Sequence, residues 1–213
     1  MNDGNSSFLT HNFLPSNELP FLHSLGLLDA DLDGDLDLLA IQEEDDDQFM
    51  LYLNEGFDDT GAPEFEQVYT FYRSYGDISA SRIIAISDYD DDGDQDVYVG
   101  RKYGYNWFFE NQTLTGSAGD VTYHSNPEPF FIEKAVPLGI ADFEVNEIGS
   151  MGYGAAWGDY DNDQDFDLYL ANWGVNRLYL NETGSFINVA DVQYVESEEL
   201  SNGVSWGDYN NDG

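Results

Sequence analysis

The residues with the clearest chemical potential are aspartates at alternate positions of a short stretch, Asp159, Asp161, Asp163, Asp165 and Asp167, followed at once by Leu168-Tyr169-Leu170. Such spacing points alternate side chains of a tight loop toward one centre. It offers several hard oxygen ligands to a divalent cation, Ca²⁺ being the best suited. Two carboxylates about 4 Å apart repel by roughly 4 kcal/mol at an effective dielectric of about 20, so the cluster is costly without a cation. The pattern recurs at Asp29, Asp31, Asp33, Asp35 and Asp37, and again at Asp88, Asp90, Asp92, Asp94 and Asp96. A fourth copy, Asp208, Asn210 and Asp212, runs into the last residue, Gly213. Four copies of one spacing exclude chance.

The segments around each loop must position it, and they repeat as well. Phe21 to Leu28 leads into the first loop and Leu38-Leu39-Ala40-Ile41 leaves it; Phe49 to Asn54 reads as the next strand. A Gly/Asp/Pro-rich turn from Glu55 to Pro63 and an alternating run from Glu66 to Tyr72 complete this unit. In the second unit Ile83 to Ile86 leads in, Val97 to Gly100 leaves, and Asn106 to Asn111 matches the third strand. In the third, Gly154 to Gly158 leads in, Leu168 to Leu170 leaves, Arg177 to Asn181 is the third strand, and the last begins near Phe186. The fourth lead-in, Gly203 to Tyr209, nearly copies the third. The distance from the first loop Asp to the strand-ending Asn is 25, 23 and 22 residues in units one to three, while the loops themselves lie 59, 71 and 49 residues apart. No run shows a period of 3.6, so helix content is expected to be low. The unit is strand, acidic loop, strand, turn, strand, variable loop, strand. Four strands per repeat, arranged around a centre, is the propeller solution.

Composition sets limits on function. The 213 residues carry 43 acidic side chains against six basic ones, a net charge of −37. Only 18 of the 43 acids lie in the four loops, so the surface is acidic well beyond them. This favours solubility in a salty or Ca²⁺-rich medium and argues against nucleic acid, since no basic stripe meets phosphates. The run Glu43 to Asp47 reads as a charged hairpin tip rather than a further metal site. With 41% hydrophobic and 15% aromatic residues the chain can still bury a core. Cysteine is absent, which removes disulfides and thiolate metal sites and leaves the compartment open. No stretch approaches 18 apolar residues, and Met1 to Pro20, read as a lead-in segment, lacks the basic and apolar regions of a signal peptide.

The form Asp-x-Asp-x-Asp-Gly-x-x-Asp followed by an apolar strand resembles the FG-GAP/VCBS repeats of integrin-α-like β-propellers. Gly154 to Asp163, Asn176 to Asn181 and Gly184-Ser185-Phe186 are most similar to the VCBS-type repeats of proteins related to cartilage acidic protein. The resemblance spans about residues 20–213. It implies a bladed propeller, often seven-bladed, with Ca²⁺ in the hairpin loop between the first two strands of a blade. It also implies a role in adhesion, ligand binding or scaffolding outside the cell, with a protein or glycan ligand at the propeller face. Two departures stand out. Gln164 replaces the loop glycine, where a left-handed backbone is expected, so loop three should bind more weakly than loops one and two. The Gly-Ala-Pro that integrin-like repeats carry after the second strand is reduced to Gly100, and Gly61-Ala62-Pro63 lies about twenty residues too late to replace it.

An EF-hand is excluded: its loop needs a bidentate Glu at position twelve and flanking helices, whereas position twelve here is Ala40, Val99 or Leu170 in β-type runs. The RTX nonapeptide is also absent. The expected ligands are the side chains at positions one, three, five and nine with the carbonyl at position seven, which belongs to Asp35, Asp94 or Asp165. Catalysis has little support. His11, His23 and His124 stand in no motif, and no nucleophile elbow or phosphate-cradling glycine loop is present. Acidic residues are too many to single out a glycosidase pair, so a carbohydrate-active enzyme or sugar-binding accessory stands as the alternative. Trp157 and Trp206 repeat in register beside the loops, which favours packing between repeats over sugar stacking. Sequons at Asn5, Asn111 and Asn181 matter only in a glycosylating host. The expectation is an all-β, incomplete propeller: about three four-stranded blades over 21–213 plus the start of a fourth, part of a longer chain, with apolar faces bare at both ends.

Overall fold

A computed structural model describes residues 22–42, 47–73, 81–102, 104–117, 120–125, 127–142, 151–195 and 200–207. The lead-in segment 1–20, the tip residues 43–46 and the fourth acidic loop, Asp208 to Gly213, lie outside these. Among the described residues all regular structure is β. The first sheet is an antiparallel meander of β1 (Leu22–Leu28), β2 (Asp37–Gln42), β3 (Asp47–Phe57) and β4 (Pro63–Arg73). The second joins β5 (Ser81–Ser87), β6 (Asp96–Arg101), β7 (Trp107–Asn111) and, after an inserted two-stranded hairpin of β8 (Leu114–Ser117) and β9 (Asp120–Tyr123), β10 (Phe131–Glu133). The third contains β11 (Met151–Gly158), β12 (Asp167–Trp173), β13 (Arg177–Asn181) and β14 (Phe186–Asn188). In each of the three four-stranded sheets an acidic loop joins the first strand to the second.

Two elements differ from the sequence reading. β3 runs from Asp47 through Asn54 to Phe57, because Gly56 takes a φ of +90° and the register shifts between Asn54 and Phe57, so the strand bulges instead of ending. The turn is therefore only 58–62, closed by the Asp58 carboxylate, which accepts the N–H groups of Thr60 and Ala62. The β8–β9 hairpin was not legible in advance, and it accounts for the long spacing between loops two and three.

The sheets stack face to face with their first strands adjoining: β1 lies against β5, and β11 against β5 and β6. Glycine permits this approach. A Cβ on Gly26 would sit 3.0 Å from Ile84, and one on Gly154 would sit 2.9 Å from the Gly203 backbone. Between sheets one and two, Leu39, Ile41, Phe49 and Leu51 meet Val97, Val99, Trp107, Phe109 and Phe131, all buried. Phe49 stacks on Phe109 with centroids 4.2 Å apart. Such a pair adds about 0.5–1.5 kcal/mol beyond area burial. Between sheets two and three, Tyr98, Phe108 and Ile140 meet Leu168, Leu170 and Tyr179. Trp157 reaches across this junction, its indole N–H donating to the Ala85 carbonyl at 3.3 Å, and Trp206 repeats the move one step on, donating to Ala156 at 3.1 Å. The two tryptophans thus pack between successive repeats. On the face of sheet one turned from sheet two, Leu25 and Leu27 are more than half exposed while Leu38, Ala40, Met50 and Tyr52 are buried, so that face is not uniformly bare. Among the described residues no helix is long and apolar enough to cross a membrane.

Candidate metal centre

Each loop is a wrapped turn shaped by its own carboxylates. The position-one Asp accepts backbone N–H groups from further along the loop. Asp88 takes those of Asp92 and Gly93 at 3.1 and 3.0 Å, and Asp159 takes those of Asp163 and Gln164 at 3.1 Å each. Asp29 takes that of Gly34 at 3.1 Å. The position-five Asp accepts the N–H of position seven at 2.8, 3.1 and 2.9 Å in loops one, two and three. Closing so tight a turn needs left-handed backbone at position six, where Gly34, Gly93 and Gln164 have φ of +95°, +104° and +83°. Position four is left-handed too: Leu32, Asp91 and Asn162 have φ of +63°, +54° and +63°. Asn and Asp adopt this conformation readily, whereas Leu32 does so under strain.

The position-nine Asp closes the loop and ties it to the third strand. Asp37 accepts from Ala30 N–H at 2.7 Å and from Asn54 N–H at 2.8 Å. Asp96 accepts from Tyr89 at 3.3 Å and Asn111 at 2.9 Å, and Asp167 from Tyr160 at 2.6 Å and Asn181 at 2.8 Å. All three are buried. The position-seven side chains turn to other work. Asp94 accepts from Leu114 N–H at 2.5 Å and Asp165 from Thr183 N–H at 2.9 Å, capping the turn after the third strand. Asp35, their counterpart, is exposed.

Carboxylate oxygens converge in every described loop. Within 4.8 Å of one another lie oxygens of Asp29, Asp31 and Asp33, of Asp88, Asp90 and Asp96, and of Asp159, Asp161 and Asp167. The gathered sets therefore use positions one, three and five in loop one, and one, three and nine in loops two and three. Asp29 Oδ1, Asp90 Oδ1 and Asp94 Oδ1 are buried without a hydrogen-bond partner. An orphaned anionic oxygen is costly unless a cation meets it, so the donor set fits a hard divalent ion. The protonation equilibria agree. Burial, reinforced by neighbouring carboxylates, pushes Asp37 and Asp167 up to about 6, Asp90 to about 7 and Asp94 to about 8. Asp96, the most enclosed, is raised well above the usual carboxylate range by burial. A cation would reverse these shifts by favouring the charged forms.

Several contributing residues were missed in the sequence. Asn111 and Asn181 stand in the sequence as register marks and sequons, yet their side-chain amides donate to the Ala30 and Tyr89 carbonyls of the preceding loop at 3.0 and 2.8 Å. A pair of braces repeats at the strand ends remote from the loops: Asn106 donates to Tyr98 Oη and Asn176 to Tyr169 Oη. Beside the second brace, Asp142 forms a buried ion pair with Arg177 at 3.0 Å and accepts from Asn172 at 2.8 Å. This pair lines a cleft of about 400 Å³ shared with Tyr105, Tyr179 and Asn188.

Residues 147–213 match the model of the FG-GAP-like repeat family. The match takes in loop three and the whole third sheet. Loops one and two lie outside it and carry the same kind of hydrogen bonds from positions one, five and nine, so one loop geometry recurs in the three described loops. No relative among curated proteins matches the chain.

Proposed function

We propose that the three sheets are successive blades of a β-propeller stapled by Ca²⁺ in the loops between first and second strands. The protein would serve as a non-catalytic extracellular recognition or scaffold module. The observation that carries this reading is the threefold convergence of carboxylate oxygens, with buried oxygens in loops one and two lacking any partner. When bound, the cation would supply positive charge that offsets the repulsion among these carboxylates and holds the loop closed. Position-one, position-three and either position-five or position-nine carboxylates would ligate it, while backbone donors keep those side chains aimed. A flexible, all-protein oxygen cage suits Ca²⁺ better than Mg²⁺, which prefers a stricter octahedron and keeps its waters. The FG-GAP-like match supports the same class, whose members typically act outside cells.

Thermal melts of the chelator-stripped chain test this. At Ca²⁺ concentrations about tenfold above Kd, each site should add roughly 1.4 kcal/mol. Mg²⁺ at equal concentration should add much less. A midpoint that ignores Ca²⁺ at low ionic strength would rule the reading out.

A sugar-binding or sugar-cleaving role is the second reading, and one feature favours it. The cleft beside Arg177 and Asp142 offers tyrosine faces and polar groups away from the acidic loops. Saturable quenching of tryptophan fluorescence by a neutral oligosaccharide, lost in Tyr105→Ala, would support it; turnover of that sugar would make the protein an enzyme.

A further inference from the structure

We infer that Asn111 and Asn181 are positioning residues that couple the cation sites of neighbouring sheets. The inference rests on the calcium reading and adds a property that the loops do not have singly. One unbroken chain of hydrogen bonds runs through all three loops. Asp167, a ligand candidate of loop three, accepts the Asn181 N–H at 2.8 Å. The Asn181 side chain donates to the Tyr89 carbonyl in loop two at 2.8 Å. The N–H of Tyr89 donates to Asp96, a ligand candidate of loop two, at 3.3 Å. Asp96 also accepts the Asn111 N–H at 2.9 Å, and the Asn111 side chain donates to the Ala30 carbonyl in loop one at 3.0 Å. Ala30 N–H in turn donates to Asp37 at 2.7 Å.

Each asparagine is oriented at both ends. Asn111 Oδ1 accepts Thr113 N–H and Asn181 Oδ1 accepts Gly184 N–H, which turns each amide nitrogen toward the neighbouring loop, the Asn181 amide also donating to the Phe166 carbonyl of its own loop at 3.3 Å. Asp37, Asp96, Asp167, Asn111 and Asn181 are each at most 1% exposed, so water cannot take over a broken link. Thr113 adds a second grip on the Ala30 carbonyl at 2.7 Å.

The bistable element is the loop, ordered around a cation or loosened by carboxylate repulsion. Each asparagine bond forms only when both flanking loops are ordered. Ordering one loop therefore lowers the cost of ordering the next, and by linkage the effect is reciprocal. Loss of one such bond should weaken the neighbouring site by roughly fivefold.

The test uses the full chain, labelled with ¹⁵N, stripped by chelator and titrated with Ca²⁺ at fixed ionic strength. The amides of Gly34, Gly93 and Gln164 report loops one, two and three separately, since each donates to its own position-one Asp. The three should titrate together with a Hill coefficient above one, against the opposing trend of progressive charge neutralisation. Asn111→Ala should move loops one and two, the pair it links, to higher Ca²⁺, loop one by roughly fivefold, and shift loop three least. Should that buried change prevent folding, Asp161→Ala removes an exposed ligand of loop three and should raise the midpoint of loop two. Independent titrations with a Hill coefficient of one, or a uniform loss at all three loops in Asn111→Ala, would overturn the coupling alone. No Ca²⁺-dependent shift at any of the three amides would overturn the metal reading and the coupling with it.

Discussion

Replacing Gln164 by glycine isolates the cost of the one loop that departs from its siblings. Gln164 holds a φ of +83° where Gly34 and Gly93 hold +95° and +104°. An L-residue in left-handed backbone costs about 1–2 kcal/mol, and glycine returns roughly 0.5–1 kcal/mol of that through its freer unfolded chain. The net gain for Gln164→Gly is about 0.5–1 kcal/mol. This corresponds to roughly two- to fivefold tighter Ca²⁺ binding at loop three if the loop is ordered by the cation. In a melt of the loaded chain the same gain raises Tm by about 1–4 °C. Gly34→Gln is the reciprocal control. A Cβ there meets nothing within 4 Å, so its loss is a backbone effect free of clashes. The amide titration of Gln164→Gly against the parent reads the affinity, and calorimetric scanning reads the stability. No gain from the first change together with no loss from the second would refute the assignment of strain to position six.

Further expectations concern other links in the same chain of causes. Leu32→Asn should stabilise loop one by up to about 1 kcal/mol, because asparagine takes the left-handed backbone that Leu32 takes under strain; chemical denaturation checks it. The cation-free chain should lose stability as pH rises. Asp37, Asp167, Asp90 and Asp94 titrate in the fold at about 6, 6, 7 and 8, above their ordinary value of 3.8. Their contribution is fully present below that ordinary value and is lost as pH climbs through the folded values. Melts in chelator should therefore decline from about pH 4 to pH 8, and saturating Ca²⁺ should flatten or reverse the slope. Gly158→Ala would place a Cβ 2.7 Å from the Trp206 ring, so it should displace that indole and red-shift its emission while leaving the loops intact.

Much of this architecture was legible because it is local. Alternate Asp residues, the apolar run after each loop and the strand-ending Asn fixed the repeat, and the left-handed turn at position six was read from Gly34 and Gly93. What escaped depends on residues far apart in the chain. The Asn111 and Asn181 bonds span 81 and 92 positions, and no local pattern marks their acceptors, which are backbone carbonyls. The Asp142–Arg177 pair joins segments 35 positions apart and has no repeat to announce it. The β8–β9 hairpin is an insertion in one unit only, so periodicity could not show it. The strained Leu32 was missed because a leucine gives no sign of left-handed backbone.

Calorimetric titration of the chelator-stripped chain with Ca²⁺ tests the central claim most directly, since it counts sites without assuming what they stabilise. Three described loops gather carboxylate oxygens within 4.8 Å, so binding should saturate at no fewer than three ions per chain. Saturation below three, or no heat of binding at all, would contradict the account.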